Sequence, residues 1–198
     1  MKNQTVLQFK ITLQKIKPAI WRRIQVPEKY SFWDLHIAIQ DAMGWHDSHL
    51  HQFEVNEPKT NEKQLLGIPD EDGFDDDNTL PDWDYFVTDY IEKNNKISYL
   101  YDYGDSWYHL IEFEGRYNAE DGTKYPVCLA GERACPPEDV GGIPGYYDFL
   151  EIMKNPKHKE HKSMVTWFGK KYDSEKFDSK KVKFDNPKIR WKHAIGRN

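Results

Sequence analysis

Residues 6–13 alternate: Leu7, Phe9, Ile11 and Leu13 fall on one side, Gln8, Lys10 and Thr12 on the other. A period of two predicts a half-buried strand. Lys17-Pro18 interrupts the pattern and residues 20–26 resume it, so the pair predicts a hairpin. In the second strand Arg22 shares the apolar side with Ile20, Ile24 and Val26, while Trp21 and Arg23 face away. A guanidinium on an apolar face needs an acid, backbone carbonyls or a path to water. Asp102 is the expected partner.

After Pro27 the period changes. Ser31-x-x-Asp34 is a capping-box pattern with Asp in the Glu position, and it opens a helix over 32–43. Leu35, Ala38, Ile39, Ala42 and Met43 make its apolar stripe, and Gly44 is its stop. His36 and Gln40, four apart, share another face, with His36 read as a rim histidine. Residues 45–48 read as a turn and 49–55 as a third strand, with His49, His51, Phe53 and Val55 on one side. Residues 56–78 read as an insertion. Its 70–77 segment holds six acids in eight residues without EF-hand spacing, which predicts a solvated loop. Thr79 is placed as the cap of a helix over 81–92, where Pro81 suits the first turn.

Residues 99–109 predict a second hairpin, crowded with rings and ionisable groups. With Gly104-Asp105 as a type II′ turn, Asp102 opposes Trp107, Leu100 opposes His109, and Asp102 and His109 are diagonal neighbours. A turn at Tyr103-Gly104 would instead set Asp102 against Asp105. The first register is preferred because Tyr103 would be strained at positive φ. The returning strand is expected to reach 113 or 114. Four prolines and four glycines over 126–146 argue against regular structure there. Tyr146, Phe149, Leu150 and Met153 give a helix ended by Asn155-Pro156. Met164, Val165, Trp167 and Phe168 give another, stopped by Gly169, with His158 and His161 solvated at its start. Asp173 and Asp178 are placed as caps of short helices around Phe177 and Val182.

These elements predict a single α+β domain over 1–198. Its core, 1–116, runs β-β-α-β-insertion (56–95)-β-β, with one helix packed on a mixed or antiparallel sheet of about five strands. A Gly/Pro/Cys loop (126–146), C-terminal helices (146–185) and a basic tail (186–198) follow. Hydrophobic residues are 38% of the chain, and seven Trp, twelve Tyr and ten Phe make a core rich in rings. No 18-residue apolar run exists, the first residues lack a signal-peptide apolar region, and two cysteines make no disulfide framework. A cytoplasmic protein without a membrane partner is expected. Charge is uneven: 14 basic against 28 acidic residues up to Met153, then 14 against 5 from Lys154 onward. The basic end is either a solvated face or a contact for an acidic partner, its own acidic loop or a nucleic acid.

The candidate pocket lies between the aspartate hairpin, the His-x-His strand and the 128–139 loop. It gathers Arg22, His36, Gln40, Trp45, His49, His51, Asp102, Asp105, Trp107, His109, Glu132, Arg133, Glu138 and Asp139. The first reading is a non-catalytic module for a small polar ligand or peptide, with Trp45 and Trp107 giving area and Arg133 or Arg22 reading charge. The second is a metal-dependent hydrolase of phosphodiesters, with His49, His51, Asp102, Asp105 and His109 as ligands and Glu132 or Glu138 as base. The third is a DNA-binding accessory acting through the basic segment. Cys128 and Cys135 are spaced more widely than a zinc knuckle; they read as buried free thiols, with a metal or redox pair as the alternative. A divalent metal is the one cofactor considered.

Several long motifs carry a family resemblance: Trp21-Arg22-Arg23-Ile24, Leu35-His36, Ile39-Gln40, Ala42-Met43-Gly44-Trp45 and residues 49–53. Residues 101–107 with His109, and 128–139 with Gly141-Gly142, complete the set. Together they resemble the Ri-plasmid ORF-three-like family. The resemblance implies a β-grasp-like α+β fold and no established activity; one member is an insertion-element passenger labelled a resolvase. Val140 stands where members often carry a third cysteine, so a family thiolate site would be incomplete. A tyrosine recombinase would need His-x-x-Arg before a nucleophilic Tyr, which this chain lacks. The acidic body is also a poor DNA surface.

Overall fold

The computed structural model describes residues 4–69, 78–92 and 94–195. The strands are β1 (Thr5–Leu13), β2 (Ile20–Pro27), β3 (His51–Asn56), β4 (Lys63–Gly67), β5 (Leu80–Pro81), β6 (Lys96–Tyr101), β7 (Trp107–Asn118) and β8 (Val127–Glu132). The helices are α1 (Phe32–Met43), α2 (Val87–Tyr90), α3 (Gly142–Lys154), α4 (His161–Phe168) and α5 (Pro187–Ile195). One sheet runs β5-β4-β3-β6-β7-β1-β2-β8, antiparallel except for the short β4–β5 pair. The mixed α/β character matches the sequence reading, but the described residues form an eight-stranded sheet and five helices, not about five strands with one packed helix.

The alternation along the strands sets the layer. Leu7, Phe9, Ile11, Ile24, Phe53, Val55, Ile97 and Ile111 point inward and meet the α1 stripe of Leu35, Ala38, Ile39 and Ala42, with Tyr146 and Phe149 of α3. Burying side chains of this size stabilises by about 1.5–3 kcal/mol each. The α1 ends follow their sequence signals. Ser31 Oγ accepts from Asp34 N–H, the Asp34 carboxylate accepts from Ser31 N–H, and Gly44 takes φ 89°.

Four local expectations give way to tertiary contacts. Residues 126–146 are not irregular throughout: 127–132 hydrogen-bond to the free edge of β2 as β8, with a bulge at Leu129, and α3 begins at Gly142. The expected insertion contributes β4, which pairs with β3; the acidic run 70–77 lies outside the described residues. The expected 81–92 helix is a strand end, a 3-10 turn (Asp82–Asp84) and the one-turn α2. Asp178 caps a 3-10 turn (Ser179–Lys181), whereas Asp173 only closes a turn by accepting from Glu175 N–H.

Candidate functional site

The central hairpin adopts neither register expected from sequence. Tyr101 opposes Trp107 and Tyr99 opposes His109, leaving residues 102–106 as the loop. Asp102 explains it. Its Oδ1 accepts from the N–H groups of Gly104 and Asp105, so the carboxylate supplies the turn that glycine was expected to supply. Asp102 and Ser106 carry the positive φ values, 58° and 55°. The predicted diagonal contact of Asp102 with His109 is therefore lost.

The loop after β8 closes over this hairpin through specific bonds. Trp45 Nε1–H donates to Pro136 O at 2.9 Å. Tyr101 O–H donates to Glu138 Oε1 at 2.5 Å and accepts from Ser48 N–H, while Glu138 Oε2 accepts from His46 N–H. Gly141 N–H donates to Asp105 Oδ2. Gly142 lies against the Asp105 backbone with φ 65°, and a Cβ there would meet Asp105 O at 2.6 Å. The Gly-Gly pair is thus required by close approach.

This closure brings His49, Asp102 and Asp139 together. His49 Nε2 is 2.9 Å from Asp139 Oδ1 and 3.6 Å from Asp102 Oδ2, and one ligand atom of each residue lies within 4.8 Å of the others. The five-residue ligand set read from sequence does not assemble. β3 begins at His51, so His49 precedes it and follows no strand alternation. His51 turns into the core, Asp105 holds the loop, and His109 is fully buried on β7.

Beneath this lies a buried polar layer. His36 and His51 stack with ring centroids 3.5 Å apart. His51 Nε2 meets Asp82 Oδ2 at 2.7 Å, with neither side chain exposed. His36 bonds to Asp47 Oδ1 through Nε2 and to the Tyr99 hydroxyl through Nδ1, both at 2.8 Å; Gln40 donates to that same hydroxyl. With Asp47 ionised, the donor sequence runs Gln40 to Tyr99 to His36 to Asp47. Burial, reinforced by His51, lowers the His36 pKa to about 4, so the ring is neutral at pH 7. Burial lowers His109 to about 3, opposed by the nearby backbone of Trp107 and Tyr99. His36 is therefore a core histidine, not a rim one.

Arg22 does not meet Asp102. Its guanidinium donates to the carbonyls of Trp21, Ala42, Glu132 and Arg133 and stacks on Phe177. Glu132 thus contributes its backbone. Arg133 pairs with Glu175, and Trp107 is buried, so neither supplies an open recognition surface. Cys128 and Cys135 are free and partly buried; burial, opposed by Arg22, raises their thiols to about 11 and about 12. Both are protonated and poorly nucleophilic.

Trp45, His46, Glu138 and Asp139 also line a groove of about 970 Å³, whose far wall is Trp167, Lys170, Lys171 and Lys176. None of these three lysines is ion-paired among the described residues. Sequence reading missed them as site residues; the signal was the basic turn following the Gly169 stop. Of the predicted pocket residues, Trp45, Glu138 and Asp139 face this groove, with His49 and Asp102 at its lip. No helix among the described residues is long and apolar enough to cross a membrane.

Comparison with known proteins places these features in context. The model of the family described as "Plasmid pRiA4b ORF-3-like protein" matches residues 5–181. The uncharacterized protein y4hQ of Sinorhizobium fredii (strain NBRC 101917 / NGR234) is 38% identical over 173 residues, 86% of this chain and 84% of that protein. The crystal structure of a protein of unknown function, MM3350 from Methanosarcina mazei Go1, superposes with a TM-score of 0.83 at 39% identity. It covers 92% of this chain and 100% of the other.

Proposed function

The chain belongs to the plasmid pRiA4b ORF-3-like protein family, and on that premise we propose that it is a cytoplasmic binding module whose groove takes a small acidic molecule or an acidic peptide. The observation carrying this reading is the groove itself. Its about 970 Å³ is of ligand size, its exposed apolar surface comes from Trp167 with Trp45 buried behind the opposite wall, and its positive charge comes from Lys170, Lys171 and Lys176, facing Asp139 and Asp173. Trp45 is fixed by its bond to Pro136 O, and Glu138 is held by Tyr101 and His46, so that wall is preorganised. The lysine wall supplies the charge recognition that Arg22 and Arg133, both internally engaged, do not.

The test is nuclear magnetic resonance of the indole N–H signals during titration with carboxylate- and phosphate-bearing small molecules and an acidic peptide. Ligands of this class shift the Trp45 and Trp167 signals, and Lys170→Glu/Lys171→Glu abolishes the response. Binding that leaves both indoles unmoved, or that survives the charge reversal, refutes the reading. A metal-dependent hydrolase is the second reading, favoured by the His49–Asp102–Asp139 convergence; Glu138 is not its free base, because both of its oxygens are engaged. For the basic segment, the contacts of Arg190 with Asp41, Asp47 and Asp185 support an intramolecular role over nucleic-acid binding.

A further inference from the structure

We propose that His49, Asp102 and Asp139 form a divalent transition-metal site at the lip of the groove, independent of what the groove itself binds. Three separate segments supply the donors: the residue pair before β3, the hairpin loop and the loop before α3. The first independent support is the state of Asp102. It is buried, with its side chain 9% exposed, and Oδ1 is consumed by two loop N–H groups. Oδ2 accepts no hydrogen bond among the described residues and faces His49 Nε2 at 3.6 Å. Oδ2 is therefore the uncommitted acceptor of a largely buried carboxylate, and it is not sealed off from an incoming cation.

The second support is charge. Asp102, Asp105, Glu138 and Asp139 converge where the loop meets the hairpin, and among the described residues no Lys or Arg is paired with any of them. Among the described residues, His49 is the imidazole paired with this group of carboxylates. Electrostatics therefore favours a compact positive ion over further side chains.

One imidazole nitrogen and two carboxylate oxygens suit Mn²⁺ or Zn²⁺ better than Ca²⁺, which prefers a shell made only of oxygen. Donors on a shell of about 2.1 Å radius stand roughly 3–4 Å apart. The observed span of up to 4.8 Å therefore closes by a small movement of the exposed Asp139 side chain. Three protein donors would leave coordination positions open toward the groove.

Isothermal titration of chelator-treated protein with MnCl₂ or ZnCl₂ alone tests this, alongside thermal melting with and without the ion. The expected result is one ion per chain, a raised melting temperature, and affinity weakened at least tenfold in Asp139→Asn and in His49→Ala. Asp139 is exposed, so Asp139→Asn folds as the parent does by circular dichroism and keeps the comparison interpretable. Electron spin-echo measurements on the Mn²⁺ form would show one coordinated imidazole nitrogen, absent in His49→Ala. No saturable binding at millimolar ion, or binding unchanged in Asp139→Asn, overturns the site. Groove binding by acidic ligands in metal-free protein is a separate readout, so the two proposals fail separately.

Discussion

Replacing Arg22 by methionine removes the ion that ties β2, β8 and the end of α1 together. The guanidinium is 1% exposed and donates at 2.9 Å to Ala42 O, 2.8 Å to Trp21 O, 2.9 Å to Glu132 O and 2.9 Å to Arg133 O. Its carbon lies 3.7 Å from the Phe177 ring centre. Each charge-assisted bond contributes about 1.5–3 kcal/mol net, but four bonds to one ion are not additive. Methionine fills much of the volume while leaving carbonyls without a donor. The expected loss is about 3–5 kcal/mol, because each carbonyl left without a donor costs about 1–3 kcal/mol and the costs do not add fully. For a chain of this size that lowers the melting temperature by about 10 °C. Urea unfolding followed by tryptophan fluorescence measures it. Arg22→Lys recovers only part, because an ammonium has three donors and no planar fork. Phe177→Ala, which removes the stack alone, costs about 1–2 kcal/mol. If Arg22→Met falls within about 1 kcal/mol of the parent, with an unchanged denaturant slope, the guanidinium is not what holds these elements together.

Acidification should destabilise the fold between about pH 6.5 and pH 3. His36 and His109 have folded pKa values near 4 and 3, below the ordinary 6.5, so the unfolded chain binds more protons. Their contribution is complete above 6.5 and is lost as pH falls toward those values, at up to about 1.4 kcal/mol per pH unit for each ring. His109→Phe flattens the profile of unfolding free energy against pH, whereas an unchanged slope excludes His109 as a source. Asp82→Ala leaves His51 Nε2 buried without an acceptor and costs about 3–5 kcal/mol in urea unfolding; Asp82→Asn, which keeps an acceptor, recovers most of it. Gly142→Ala is strained at φ 65° and collides with Asp105 O; the expected loss is about 1–3 kcal/mol, with faster amide exchange at Gly141.

Elements with their own local signals were legible in the sequence. The β1 and β2 alternation, the Ser31–Asp34 capping box and the Gly44 and Gly169 stops are all set by neighbours within a few residues. What the sequence hid depends on distant partners. β8 is a strand because β2 offers an unpaired edge, and nothing in Val-Cys-Leu-Ala-Gly-Glu announces that. His36 looked peripheral because Asp47, Tyr99 and His51, which make its burial tolerable, come from other segments. Asp82 was invisible as the partner of His51 for the same reason. The His-x-His spacing misled because side-chain alternation applies only inside a strand, and the strand starts at the second histidine. The meeting of the aspartate hairpin with the Pro-Pro-Glu-Asp segment is part of the pocket expected from sequence; the choice of Asp139 over His51 and His109 as His49's neighbour is not.

The family match ends at residue 181, yet the chain continues back across α1. Trp33 Nε1 donates to Pro187 O, Trp191 packs edge-on against Trp33 and Trp83, and Arg190 bonds to Asp41. Burial already holds the Asp41 carboxyl up near 6 despite that arginine. A fragment cut at the family limit would keep the sheet's sequence intact while uncovering two indoles and stranding an acid without its cation. Boundaries for recombinant work on this chain belong beyond α5.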